Sequence, residues 1–360
     1  MEEHIKQAKH QIQLCDIVEP LLEWYRKNAR RLPWRENTDP YRVWVSEIML
    51  QQTRVEAVKP YFERFLKQLP TLKDLAAADE DTLLKLWEGL GYYARVRNLQ
   101  KAAQTICKEY GGIFPETYEE ILGLPGIGPY TAGAISSISF EKPVPAIDGN
   151  VLRVITRLKE DRRDLSDPAL KRQIATELAA VYPVGRCGDF TQSLMELGAI
   201  VCTPNGFPNC AACPLRLLCG ANRNHTQLAF PMQEKKASRS RQEKTVFLLC
   251  FENQVALRRR APGGLLGGLW EFPNVDGRMT EEKIYAWLEE QKILPEHVVK
   301  SACKTHIFTH IEWHMIAYDV RIAAEEAGFH GKSGLNLVGN RELHECYAIP
   351  SAFSAYTKYL

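Results

Sequence analysis

The stretch Ile121-Leu122-Gly123-Leu124-Pro125-Gly126-Ile127-Gly128-Pro129-Tyr130-Thr131-Ala132-Gly133-Ala134-Ile135 reads as a short helix, a glycine-rich turn and a second, apolar helix. Pro129 suits the first position of that second helix, where its missing N–H has no intrahelical partner and its φ is preset. Two glycines in the turn can take φ > 0 and leave no side chain in the way. Backbone N–H groups at the helix start can then approach a phosphate oxygen. A plain helix connection has the same local pattern, and phosphate contacts position a nucleic acid without reading its bases. The neighbouring segments must decide.

Just downstream, Pro145-Ala146-Ile147-Asp148-Gly149-Asn150-Val151-Leu152-Arg153-Val154 puts a carboxylate between an apolar approach and a helix that Asp148 or Asn150 could cap. Capping alone would account for it. Upstream, Tyr41-Arg42-Val43-Trp44-Val45-Ser46-Glu47-Ile48-Met49-Leu50-Gln51-Gln52-Thr53 follows the helix-opening pair Asp39 and Pro40, with Glu47 among Trp44, Ile48 and Leu50. A solvated helix face is the ordinary place for such a glutamate. In an apolar pocket, desolvation would instead raise its pKa and let it hold a proton near neutrality, as a general acid must.

Cys202, Cys210, Cys213 and Cys219 are separated by seven, two and five residues, with Pro204, Pro208 and Pro214 restraining the loop. Four thiolates at such spacing suit zinc or an iron–sulfur cluster equally well. The other six cysteines, Cys15, Cys107, Cys187, Cys250, Cys303 and Cys346, are scattered singly and read as free thiols.

Around these motifs the chain divides by character. From about residue 10 to 200 apolar residues recur at helical spacing, as in Val18, Leu21, Leu22 and Tyr25, or Tyr61, Phe62, Phe65, Leu66 and Leu69. The polar run from Glu234 to Lys244 has no apolar period and reads as linker. Beyond it, residues 245–251, 254–258 and 313–322 read as strands, with a helix near 281–291. The expectation is a helical domain over 1–225, a linker over 226–244 and a mixed α and β domain over 245–360. A length of 360 residues is enough for two cores.

Composition sets outer limits. At 45% hydrophobic and 25% charged, the chain has the make-up of a folded protein without membrane spans, and a net charge of +2 leaves a polyanionic partner open without demanding one. The start, Met1-Glu2-Glu3-His4-Ile5-Lys6, lacks the marks of a secretory or transit peptide, so a cytoplasmic, bacterial-type, nucleoid-associated protein is expected. Without coiled-coil heptads a monomer is expected.

The hairpin, the Asp148 segment and the cysteine loop together resemble the helix-hairpin-helix DNA glycosylase superfamily. The Glu47 helix, Arg31-Leu32-Pro33-Trp34-Arg35 and Trp87-Glu88-Gly89-Leu90-Gly91-Tyr92-Tyr93-Ala94-Arg95 narrow the resemblance to adenine DNA glycosylases of the MutY type. That resemblance implies an all-α helix-hairpin-helix domain carrying a [4Fe-4S] loop, followed by an α+β Nudix-like domain. It implies removal of adenine opposite 8-oxoguanine or guanine in double-stranded DNA. Glu47 would protonate adenine and later activate water, and Asp148 would stabilise or trap the oxocarbenium ion, helped by Tyr130 and Asn150. Tyr130 stands where endonuclease III-like lyases carry a lysine, which implies a monofunctional enzyme. Arg31, Gln52, Tyr92, Gly126 and Gly128 would contact DNA. The four cysteines would hold the cluster, although the first gap is usually six residues and an insertion at Asn205-Gly206-Phe207 makes it seven.

Residues Arg260 to Pro273 look like the start of a Nudix-type domain, yet the metal-gathering Arg-Glu pair is missing around Tyr285-Ala286-Trp287-Leu288-Glu289-Glu290. Nucleotide hydrolysis is therefore not expected there. The domain would instead read the oxidised base through Phe308-Thr309-His310, with Thr309 in place of the family's serine. Two rivals remain: a lyase for damaged pyrimidines, against which Tyr130 and the second domain speak, and a non-catalytic DNA-binding protein, against which Glu47 and Asp148 speak.

Overall fold

The computed structural model describes residues 12–232, 238–322 and 334–357. Part of the expected linker, 233–237, and the start of the chain lie outside the described residues. The chain folds as two units, 1–76 with 98–235 and 77–97 with 236–360.

The helices in chain order are α1 (Val18–Asn28), α2 (Pro40–Leu50), α3 (Val55–Gln68), α4 (Leu72–Ala77), α5 (Glu80–Leu86), α6 (Ala94–Glu109), α7 (Tyr118–Gly123), α8 (Pro129–Phe140), α9 (Gly149–Lys159), α10 (Pro168–Ala179), α11 (Cys187–Ile200) and α12 (Gly220–Arg223). Their starts follow the expected chemistry. Asp39 caps α2 by accepting from the Tyr41 N–H, with Pro40 at the first position. Asp167 and Pro168 open α10 in the same way. Gly128 is the N-cap of α8 and Pro129 its first residue.

In the first unit α11 packs on both α8 and α9, and α2 packs on α8. The buried core joins Leu21 and Leu22 of α1, Leu152 and Ile155 of α9, and Phe190, Leu194 and Leu197 of α11. Without a charged residue on any side, α8 is enclosed, with Thr131 through Ile138 buried. Enclosure on that scale fixes the two segments flanking α8, the hairpin turn and the Asp148 approach.

The second unit is built on a mixed sheet of seven strands, β1 (Ser240–Phe251), β2 (Gln254–Arg259), β3 (Trp270–Glu271), β4 (Asn274–Asp276), β5 (Pro295–Ile307), β6 (Ile311–Ile322) and β7 (Leu335–Gly339). The path runs β3-β2-β1-β6-β5, with β4 on β1 and β7 on β2. Among these described strands only β1 and β6 pair in parallel. Helices α13 (Glu281–Glu290) and α14 (Asn340–Glu345) complete it. One face is covered by α13, whose Trp287 stacks on Phe247 with centroids 4.1 Å apart. The other buries Trp313, Phe272, Phe353 and Tyr356.

Two features depart from the sequence reading. The polar run is not all linker: β1 begins at Ser240, and Lys244 is buried with its ammonium 4.5 Å from the Trp313 ring centroid and paired with Asp276. Parallel pairing with β6 satisfies that backbone, which composition alone could not anticipate. In addition, residues 77–97 belong to the sheet's unit. Glu80 pairs with Arg259 at 3.2 Å, Lys85 donates to the Tyr347 carbonyl at 2.9 Å, and Glu88 accepts from the Ile349 N–H at 2.7 Å. No helix among the described residues is long and apolar enough to cross a membrane.

Candidate active site

In the helical unit a cavity of 590 Å³ is lined by Glu47, Tyr130, Asp148 and Asn150 together. Three segments far apart in sequence supply these groups: α2, the first turn of α8 and the start of α9. Glu47 is buried, and its carboxylate accepts a hydrogen bond from the Tyr130 hydroxyl. Burial pushes the Glu47 pKa up to about 7, opposed by the Tyr130 hydrogen bond, reinforced by the charge of Asp148 and again opposed by that of Arg35. Such a group exchanges a proton near neutrality.

Asp148 is both cap and site residue. Its Oδ1 accepts from the Val151 N–H at 2.7 Å as the N-cap of α9, and its Oδ2 accepts from Asn150 Nδ2 at 2.6 Å. Burial raises its pKa, while those two donors and the Arg153 guanidinium pull it back. Asn150 is held in turn: Arg153 donates to its Oδ1 at 2.7 Å, to the Gly198 carbonyl at 2.8 Å and to the Cys202 carbonyl at 2.8 Å. The Tyr130 hydroxyl stays protonated, its pKa driven far up by burial and the two carboxylates.

Two glycines set the floor beneath Asp148. A Cβ on Gly133 would lie 2.4 Å from the Pro145 carbonyl oxygen, and one on Gly198 would lie 2.5 Å from Asn150 Cβ. The segment 145–150 can press against α8 and α11 only because both positions lack a side chain.

The same cavity is also lined by Arg30, Arg35, Gln192 and Glu196. Glu196 is 1% exposed and accepts from Arg30 N at 3.0 Å, Arg30 Nε at 2.7 Å, Arg30 Nη2 at 2.9 Å and Arg35 Nη2 at 2.8 Å. Burial alone would raise its pKa, but the hydrogen bonds from Arg30 and Arg35 outweigh it and bring the carboxyl to about 2. Of these four, only Arg35 was quoted from the sequence, at the end of the 31–35 motif, and none was given a role. The available signal was a lone acidic residue, Glu196, in the apolar run of α11.

The other expected residues fall in three places. Gln52, exposed and at φ 60°, lines the same cavity, whereas Arg31 is exposed and does not line it. In the hairpin only Gly126 takes a positive φ, 75°, where a Cβ would also meet Asn98 Cβ at 2.5 Å; Gly128, expected to share that conformation, is at φ −98° because it serves as the helix cap. In the sheet unit Phe308-Thr309-His310 forms the turn between β5 and β6, its Phe308 ring edge-on to His306 and Trp313. Within that same unit the Tyr92 and Thr309 hydroxyls hydrogen-bond, and the Arg95 guanidinium lies 5.5 Å from the Tyr92 ring centroid.

Cys202, Cys210, Cys213 and Cys219 line one small cavity with Arg157, Arg216 and Gln227. Arg157 Nη1 donates to Cys202 Sγ at 3.3 Å. Among the described residues no three His, Cys, Asp or Glu side chains meet as they would around a single ion. Four thiols around a common space, with a guanidinium on one of them, are a donor set suited to an iron–sulfur or zinc centre with thiolate ligands.

Residues 45–180 match the HhH-GPD superfamily of base excision DNA repair proteins, and residues 245–359 match the NUDIX domain family. An adenine DNA glycosylase of Buchnera aphidicola subsp. Acyrthosiphon pisum is 35% identical, over 84% of this chain and 85% of that protein. One from Mus musculus is 36% identical over 81% of this chain and 68% of that protein. Among solved structures, a thermostable thymine-DNA glycosylase is 27% identical with a TM-score of 0.52, covering 58% of this chain and 96% of that one. A non-covalent endonuclease III–DNA complex, 23% identical with a TM-score of 0.50 over 59% of this chain and 97% of that one, shares the fold.

Proposed function

The chain belongs to the adenine DNA glycosylase family, and we propose that it removes adenine paired with 8-oxoguanine, or with guanine, and leaves an abasic site without cutting the strand. As a base excision repair enzyme it hydrolyses the N-glycosidic bond of adenine in DNA. The observation that carries the proposed mechanism is the shared cavity in which a buried, protonatable Glu47 faces Asp148.

Glu47 donates its proton to a ring nitrogen of adenine as the bond to C1′ breaks, and the bonding pair leaves with the base. The sugar becomes an oxocarbenium ion, which Asp148 stabilises as an anion or traps as an ester. Water then attacks C1′ and gives its proton to the Glu47 carboxylate. Tyr130 orients Glu47, and Asn150 orients Asp148. No amine stands at position 130 to form a Schiff base, which supports the monofunctional reading.

Gly126, Gly128 and Arg31 position the DNA backbone, Gln52 and Tyr92 occupy the base stack when adenine is extruded, and Phe308, Thr309 and His310 read the opposite base. The cysteines Cys202, Cys210, Cys213 and Cys219 hold a [4Fe-4S] cluster. When bound, that group supplies cross-links that stiffen the loop and no step of the reaction. The protein acts as a monomer in the cytoplasm, at the nucleoid.

The test is single-turnover adenine release from duplexes with adenine opposite 8-oxoguanine, guanine or thymine. Release from the first two without strand scission is expected. Efficient borohydride trapping through a lysine of the helical unit would overturn the monofunctional assignment, and three intact duplexes in the presence of loaded, DNA-binding protein would overturn the substrate.

A further inference from the structure

The cavity that holds the acid is also lined by two arginines, Arg30 and Arg35. Arg35 already acts on Glu47, its charge favouring the ionised form. What restrains Arg30 and Arg35 is Glu196, whose buried carboxylate takes hydrogen bonds from both, three from Arg30 and one from Arg35. The groups facing Glu47 from the surrounding elements are Tyr130 of α8, Asp148 at the start of α9, Arg35 after α1, and the Arg30–Glu196 pair reaching from α11, with neutral Asn150, Gln52 and Gln192 between them. With Asp148 ionised, as its role requires, Arg30 and Arg35 are matched by Asp148 and Glu196. The wall is then neutral while Glu47 keeps its proton. Without Glu196 the same wall carries one net positive charge, which favours the Glu47 anion.

We propose that Glu196 is a positioning residue that preserves the proton on Glu47 by holding Arg30 and Arg35 on its own carboxylate. The proposal rests on the reading of Glu47 as the general acid only for its effect on rate; its effect on the proton stands apart. A cross-link that merely fastens α11 to the segment after α1 would use the same bonds, so the measurement must read charge. Glu196→Gln keeps size and an acceptor oxygen and removes the charge. Arg35→Gln removes one guanidinium and acts in the opposite direction.

The experiment follows the Glu47 carboxyl carbon by 13C NMR in the DNA-free protein, assigned through Glu47→Gln, beside single-turnover adenine release from pH 5 to 9. In Glu196→Gln the Glu47 titration should move down by about half a unit or more, with release about threefold slower above neutrality and converging on wild type in acid. In Arg35→Gln it should move up, and the double variant should return near wild type. An unmoved Glu47 titration in Glu196→Gln, with release slowed equally at every pH, would overturn the proposal. If Glu196→Gln does not fold, Arg35→Gln decides: no upward movement overturns it. A shifted titration that the rate profile ignores would uphold the charge role and count instead against Glu47 as the acid.

Discussion

Each unit buries one glutamate between two arginines, and the two cases have different consequences. Glu271 on β3 pairs with Arg258 at 2.9 Å and with Arg260; Glu196 on α11 pairs with Arg35 at 2.8 Å and with Arg30. Both carboxylates are 1% exposed. Glu271 lies in the sheet, where its arginines also serve the Asn274 carbonyl and the Trp313 ring. Glu196 shares a cavity with Glu47 and Asp148. The same ionic arrangement is thus a structural tie in one place and part of a reactive environment in the other. What differs is the neighbour across the cavity.

The comparison breaks most visibly if chemistry is not confined to the helical unit. Glu47→Gln or Asp148→Asn should each slow adenine release by about a thousandfold or more, without loss of fold, since asparagine still caps a helix. A small change in either, measured in single turnover, would move the reaction elsewhere. Next in size, Glu271→Ala leaves two partly exposed guanidiniums without their carboxylate and should lower the unfolding free energy by about 1–3 kcal/mol in urea titration. Unchanged stability would mean that the tie in the sheet contributes nothing.

The helical motifs were legible because their chemistry is local. Asp39 with Pro40 and Gly128 with Pro129 announce helix starts in adjacent residues, and Asp148 announces both a cap and a candidate carboxylate. The Arg30–Glu196 pairing was not legible: 166 positions separate its members, and neither belongs to a local pattern. Lys244 was misread for a related reason, because its partners on β6 come from a distant strand that composition cannot bring near. Arg31 was singled out beside two arginines that line the cavity; one residue of offset around the turn decides which guanidinium enters.

A third prediction concerns stability. Glu47 titrates at about 7 when folded and near its ordinary 4.5 when unfolded, so the folded state binds the extra proton between those values. Its contribution is full below pH 4.5 and lost as pH rises to about 7, a change of about 3 kcal/mol. Glu47→Gln lacks that loss, so its Tm should gain on wild type across that window and hold level above it. Parallel Tm curves would place the carboxyl in water. The smallest effect belongs to the sheet unit: Thr309→Ala removes one hydroxyl, and should reduce the preference for 8-oxoguanine over guanine by no more than about tenfold, read from the ratio of release rates.

The two glycine contacts under Asp148 bear on how this enzyme can drift. Every replacement for Gly133 or Gly198 brings a Cβ into the Pro145 carbonyl or the Asn150 side chain. Neither position therefore has a neutral neighbour one mutation away, and lineages can reach new residues there only after the facing segment has shifted. The floor of the cavity is expected to stand still across evolutionary time while its walls vary.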